Sequence, residues 1–417
     1  MAVGFAKDTV MDNIHEKLLA VVRYQLFGGE KPQINTNELL DIMKEADDQA
    51  VNVTVFPILR DSIRKSCPEK FLKCKESYFG KVLTNTHNLL EHGELHAIMT
   101  KHGIDYVAIK GAASAYYYPD PSLRVMGDVD FLVAEKDFER AKQAVLDAGF
   151  LVDHGDTEDS IHIAFKREPV SIWEMHRTVN GIPSGKPGER ISADMASAIK
   201  TAELITLDGT SCMIPNVFFH GLIMLLHMIS HMTGEGIGLR HLCDWAVFAE
   251  RLDSDRFVNV FEKKLKSYGI WKFAQIMTLV SERYLGIGKK SWAQDPDVGG
   301  DQLDALITDI LDGGNFGKKD MNRYREIKYI SNRGDRTVDD KNVVAQAFKT
   351  LNQKTCDDYG WIEKRRVFLP IGWVAEAAKY LGMLATGKRK NKGTSKMLKE
   401  AARRKSIYSK MKLFESE

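Results

Sequence analysis

Residues 127–133 read Gly-Asp-Val-Asp-Phe-Leu-Val. Successive side chains of a β-strand point to opposite faces. Val129, Phe131 and Val133 therefore share a face suited to a core, and Asp128 and Asp130 stand together on the other. This constrains the fold: as a strand the segment buries one side, and its carboxylate side calls for a cation or for solvent. Adjacent carboxylates repel, and each tends to hold a proton unless a cation meets the pair. Mg²⁺ takes hard oxygen ligands and commonly sits on one or two carboxylates plus substrate phosphates. A loop–strand junction with a solvated Asp130 fits the same four residues, because Asp is common in turns.

A third acid narrows the choice. In Val-Ser-Ile-Trp-Glu-Met-His-Arg, residues 170–177, Glu174 shares a face with Ile172 and His176, opposite Ser171, Trp173 and Met175. An acid in the middle of an apolar strand needs a partner, or desolvation costs on the order of several kcal/mol. If this strand lies beside the Asp strand, the three acids converge. Such a cluster suits two ions, Mg²⁺ or Mn²⁺, roughly 3.5–4 Å apart. One would grip a triphosphate; the other would lower the pKa of an attacking hydroxyl, with Glu174 as its ligand or as base.

Upstream, Tyr-Val-Ala-Ile-Lys-Gly-Ala-Ala-Ser (residues 106–114) reads as strand, Lys-Gly, then helix start. Gly111 permits close backbone approach, and the free N–H groups of the next turn can receive phosphate oxygens. Ser114 adds a hydroxyl and Lys110 can meet a phosphate directly. Strand–Gly–helix junctions are also common without a ligand. Arg124 can hold a phosphate bidentately, or form a surface salt bridge.

Around this segment the pattern is helical. Residues 14–26 and 37–50 place apolar side chains at three- and four-residue steps, with Thr36 or Asn37 as the expected cap of the second helix. Residues 84–103 predict a helix that stops at Gly103. Strands are expected at 104–110 and 128–133, a short helix at 111–118 ended by Pro119 and Pro121, and a helix at 135–150. A hairpin over 160–178 turns at Glu168-Pro169. Beyond 215 the chain is helical again, with long segments at 216–232, 239–252, 261–286 and 371–387. The expected division is an N-terminal helical region (1–103), a mixed-sheet core (104–214), a helical domain (215–387) and a basic tail (388–417). The fold class is α+β.

At these residues the sequence resembles the polymerase-β-like nucleotidyltransferase superfamily, and within it the uncharacterised bacterial nucleotidyltransferase family with Lys-Gly and Asp-x-Asp motifs. The resemblance rests on Ala-Ile-Lys-Gly, Tyr-Tyr-Tyr-Pro, Arg124, Gly-Asp-Val-Asp-Phe-Leu-Val and Trp-Glu-Met-His. It implies metal-dependent transfer of a nucleoside monophosphate from an NTP to a hydroxyl-bearing acceptor, a small molecule, protein or RNA. Asp128 and Asp130 match the metal-binding pair, and Glu174 the third acid. Two features depart from the superfamily: Ala112 stands where relatives usually carry serine, and the stretch from Gly111 to Asp128 is longer.

His227 and His231 lie four apart on one predicted helix, a spacing that can hold Zn²⁺, but no H-E-x-x-H motif accompanies them. His231, Arg240 or Asp244 is expected to line a groove for base or acceptor, and His162 or His176 to move a proton. Five cysteines without a C-x-x-C suit a reducing compartment. The N-terminus shows no apolar signal core, so a cytoplasmic location is expected. Residues 388–417 carry eleven Lys or Arg against three Glu, either a solvated helix end or a contact for an anionic partner. Two alternatives remain open: a non-catalytic nucleotide-binding or scaffold protein of the same fold, and a γ-phosphate phosphotransferase.

Overall fold

The computed structural model describes residues 11–157, 160–168, 171–294, 297–320, 323, 351–352, 355–356, 358–363, 365–385 and 394–415. The chain opens with four helices: α1 (Asn13–Phe27), α2 (Leu39–Asp48), α3 (Asn52–Ser66) and α4 (Pro68–Lys101). The Asp12 carboxylate caps α1 by accepting from the Ile14 N–H at 2.9 Å. Neither Thr36 nor Asn37 caps α2; Glu38 occupies the cap position, and its carboxylate accepts instead from the Asn35 N–H (3.0 Å) and the Asn13 amide (2.6 Å). The turn is thus tied back to α1. Gly103, with φ +59°, closes α4 as its sequence position predicts.

Five short strands follow: β1 (Tyr106–Ala108), β2 (Val129–Val133), β3 (Leu151–His154), β4 (His162–Arg167) and β5 (Ser171–His176). They order as β1-β2-β5-β4-β3. β2 and β5 run parallel and the other pairs antiparallel. The β2–β5 register sets Asp130 opposite Glu174. One face of the sheet is apolar: Val129, Phe131, Val133, Trp173 and Met175 pack beneath α6 (Phe138–Asp147) and the end of α4. Burying each such side chain contributes about 1.5–3 kcal/mol, which pins the register. The turn at Pro169 lies outside the described residues.

Elements that the periodicity leaves unassigned complete the core. α7 (Gly185–Met195) precedes a separate hairpin of β6 (Glu203–Leu207) and β7 (Thr210–Ile214). Asp208 and Gly209 turn this hairpin with positive φ at both positions, the conformation a two-residue loop requires. The Tyr106 hydroxyl accepts from the Met213 N–H at 3.2 Å and ties β7 to β1.

The C-terminal helices are α8 (Val217–Met232), α9 (Leu239–Glu250), α10 (Ser254–Phe257), α11 (Lys263–Tyr268), α12 (Trp271–Val280) and α13 (Gly300–Gly313), then Gly360–Glu363, Leu369–Ala385 and Thr394–Tyr408. The expected single helix over 261–286 is broken at Gly269, which takes φ +72°. A Cβ there would lie 2.5 Å from the Glu415 carbonyl oxygen, and the Gly269 carbonyl accepts from the Phe414 N–H at 2.8 Å. The C-terminal segment is therefore docked, not free. Arg404 is buried on Asp309 (3.0 Å) and Asp320 (3.2 Å), and Asp309 also meets Arg323 and Arg403. Residues 388–393 of the basic stretch lie outside the described residues.

Leu18, Ile42 and Phe56 from the first three helices share one apolar core with Leu225, Trp245, Phe273 and Ile307. The helices on either side of the sheet in sequence thus pack together in space. No helix among the described residues is long and apolar enough to cross a membrane.

Candidate functional site

A cavity of about 370 Å³ lies where the polar face of the sheet meets α8 and α9. Asp128, Asp130 and Glu174 all line it. Asp130 is buried, and its Oδ1 receives Lys110 Nζ at 2.6 Å and His176 Nε2 at 3.1 Å. His176 Nε2 also lies 3.4 Å from Glu174 Oε2, so one imidazole bridges the two acids. His162 Nε2 approaches the other Glu174 oxygen at 3.9 Å. The strand pairing explains this: parallel β2 and β5 present Asp130, Glu174 and His176 on one face.

The two aspartates are pushed in opposite directions. Burial opposes the Asp130 anion, but Lys110 and His176 outweigh it and hold the carboxyl well below the usual range. Asp128 stands exposed at the strand mouth, with no cation in ion-pair contact among the described residues. Lost hydration of the carboxyl group against the cavity wall, together with the charges on Asp130 and Glu174, outweighs Lys110 and Arg240 and pushes it up to about 6. Burial disfavours charge on His176 too, yet its bonds to Asp130 and Glu174 raise its pKa overall. His162, lacking so close a partner, is lowered by burial.

These donors fit a divalent ion of the Mg²⁺ or Mn²⁺ type. They are hard oxygens on one surface, and Asp128 carries the excess negative charge that such an ion relieves. Asp128, Asp130 and Glu174 would hold it. An ion on Asp130 must compete with the Lys110 ammonium that meets it in this arrangement.

The Lys-Gly loop sits beside the acids. Gly111 adopts φ +50°, and a Cβ there would lie 3.0 Å from His92 Nε2. Both the conformation and α4 beneath it demand glycine. The following helix, α5 (Ala112–Ala115), is one turn, and the Ala113 N–H already donates to the Lys110 carbonyl at 2.9 Å. That amide is therefore not open to phosphate, contrary to expectation. Ser114 lines the cavity. The stretch before Asp128 is held from α4: Asn85 donates to the Arg124 carbonyl at 2.7 Å, and Asn88 to the Gly127 carbonyl at 2.7 Å. Neither asparagine carries a sequence signal of this role.

Arg124, expected on a phosphate or in a surface salt bridge, lines the cavity with its fork engaged inside the protein. It is buried, and its fork closes on Asp244 of α9 through Nε–Oδ1 and Nη2–Oδ2, both 2.8 Å. The Tyr118 hydroxyl donates to the same carboxylate at 2.8 Å. These contacts anchor the loop before β2 to the helical wall.

That wall also carries His227, His231, His241, Arg240 and Phe316. One ring nitrogen from each histidine lies within 4.8 Å of the others. Glu235 Oε2 stands 3.4 Å from His231 Nδ1. His241 Nδ1, however, accepts the Gly238 N–H at 3.3 Å. A neutral ring held this way carries its proton on Nε2, which is buried without a hydrogen-bond partner among the described residues, and leaves no free lone pair for a zinc ion. Burial lowers the pKa of all three rings and keeps them neutral. Phe316 lies far from every motif in the chain and was not legible as a wall residue.

A family model described as an uncharacterised nucleotidyltransferase matches residues 37–286, more than half of the chain. The match includes every cavity residue named above except Phe316. No curated protein and no solved structure matches the chain.

Proposed function

The chain belongs to the uncharacterised nucleotidyltransferase family, and on that premise we propose that it moves a nucleoside monophosphate from an NTP to a hydroxyl-bearing acceptor. The observation that carries this reading is the pairing of Asp130 with Glu174 across parallel strands, with Asp128 in the same cavity. Three carboxylates at one cavity suit divalent ions that carry a triphosphate.

The acceptor oxygen attacks the α-phosphorus. Its bond to phosphorus forms as the bond from the α-phosphorus to the bridging oxygen breaks, and pyrophosphate leaves. The hydroxyl proton passes to a carboxylate of the cluster, for which Glu174 is best placed. His176 holds Glu174 and Asp130 in a fixed relation through one nitrogen. When bound, divalent ions supply positive charge at the phosphate oxygens and ease ionisation of the acceptor hydroxyl. Gly111 lets the chain approach the phosphates closely, Ser114 offers a hydroxyl, and Lys110 moves between Asp130 and a phosphate oxygen. Arg124 acts at one remove, by fixing the loop on Asp244.

The test is incubation with α-labelled NTPs, Mg²⁺ or Mn²⁺ and cell lysate. Asp128→Ala/Asp130→Ala is expected to lower label transfer roughly 100-fold or more, while the circular dichroism spectrum stays that of the wild type. Equal labelling by both proteins, or release of nucleoside diphosphate in place of pyrophosphate, refutes the reading.

A further inference from the structure

Three cations line the cavity, and two are engaged by carboxylates. Lys110 meets Asp130, and the Arg124 fork meets Asp244. Arg240 differs. Its Nη1 donates to the Val125 carbonyl at 3.3 Å, and its Nε is buried without a hydrogen-bond partner. No carboxylate lies within ion-pair distance of it among the described residues. Asp244, one turn along α9, would be its natural partner, but Arg124 and the Tyr118 hydroxyl take both oxygens. Burial and the neighbouring Arg124 charge lower its pKa, yet a guanidinium stays charged throughout the physiological range.

A half-buried guanidinium in a cavity wall, with Asp130 and Asp244 acting on it only from beyond ion-pair contact, favours an anionic ligand. The chemistry of that anion follows from the rest of the cavity. Asp128, Asp130 and Glu174 repel a bare carboxylate, but accept an anion that brings divalent ions with it. A guanidinium fork matches two oxygens of a phosphate. We propose that Arg240 binds the β- and γ-phosphates of the nucleotide and retains the pyrophosphate as it leaves. This deepens the nucleotidyltransferase reading and rests on its assignment of the α-phosphate to the acidic side.

Phe316 is the positioning residue for this arginine. Its φ of +55° falls in the left-handed region, which is costly for a bulky side chain. That conformation sets its ring 5.4 Å from the Arg240 guanidinium and 4.7 Å from the His231 ring. The residue remains 43% exposed, so the apolar cover restricts the guanidinium without sealing the cavity.

The test is calorimetric titration of the full chain, with Mg²⁺ present, using inorganic tripolyphosphate and AMP as separate probes. Arg240→Gln is expected to weaken tripolyphosphate about tenfold or more and leave AMP within about twofold. Unchanged tripolyphosphate affinity, or equal weakening of both probes, overturns the proposal. If the Gln variant melts below the wild type, Arg240→Lys takes its place. It keeps the charge but loses the fork, so a severalfold loss for tripolyphosphate alone is expected; no loss overturns the proposal. Neither probe undergoes transfer, so a failed labelling experiment leaves this result standing, and the reverse also holds.

Discussion

Asp128 and Asp130 are two residues apart and have opposite electrostatics. Asp130 is answered by Lys110 and His176; among the described residues no cation forms an ion pair with Asp128. Neighbouring acids pushed apart in pKa mark a site where charge is to be handled. The sign of the effect on stability is definite. The folded Asp128 carboxyl sits near 6, above the ordinary value of about 3.9. The folded state therefore binds this proton more tightly than the unfolded state, and the group opposes folding increasingly as pH rises through that window. In metal-free protein, Asp128→Asn should melt higher than the wild type at pH 7.5, and the difference should vanish below about pH 4. Mg²⁺ should then raise the wild-type melting temperature more than that of the variant. A variant that melts lower at pH 7.5 would contradict the assignment. At this scale the sequence made the acids legible, because strand alternation alone puts Asp128, Asp130 and Glu174 on polar faces. The partners were hidden. Lys110 and His176 reach Asp130 across 20 and 46 residues of chain, and no local pattern encodes such distances.

Among the elements, β2 and β5 carry the site, and α9 holds it in place. The link is the Arg124–Asp244 pair, in which both side chains are nearly inaccessible to solvent. Removing one partner leaves the other charge buried and alone. Asp244→Ala should therefore destabilise the protein by about 3–5 kcal/mol in urea unfolding, whereas Arg124→Met/Asp244→Leu together should recover much of the loss. A loss below about 1 kcal/mol for the single change would mean that the pair is a surface-type contact. The strands beside the acids were readable from alternation and β-branched content. The β6–β7 hairpin carries a comparable signal, since Asp208-Gly209 is a strong turn pair between two strand-forming runs. Other features are tertiary. Gly269 interrupts a helical period because the C-terminal segment crosses it, and Glu38 serves two donors where a conventional cap was expected.

Taken whole, the molecule places its cavity between the polar sheet face and helices that follow it in sequence. The first three helices brace those later helices through a common core. Periodicity marks the helices but not their mutual packing, so a linear division of the chain conceals the shared core. The basic C-terminal stretch illustrates the same limit. Its composition suggests a free cationic appendage, whereas Arg403 and Arg404 neutralise a buried Asp309. The junction of sheet and helices brings Asp128, Asp130 and Glu174 to one cavity, and the proposed function rests on their acting together on divalent ions. The most direct measurement is Mn²⁺ binding by electron paramagnetic resonance, with a non-hydrolysable NTP analogue, in the wild type and Glu174→Gln. The account predicts uptake of about two ions per chain in the wild type, and an affinity roughly tenfold weaker or the loss of one ion in the variant. Identical stoichiometry and affinity in the two proteins would contradict it.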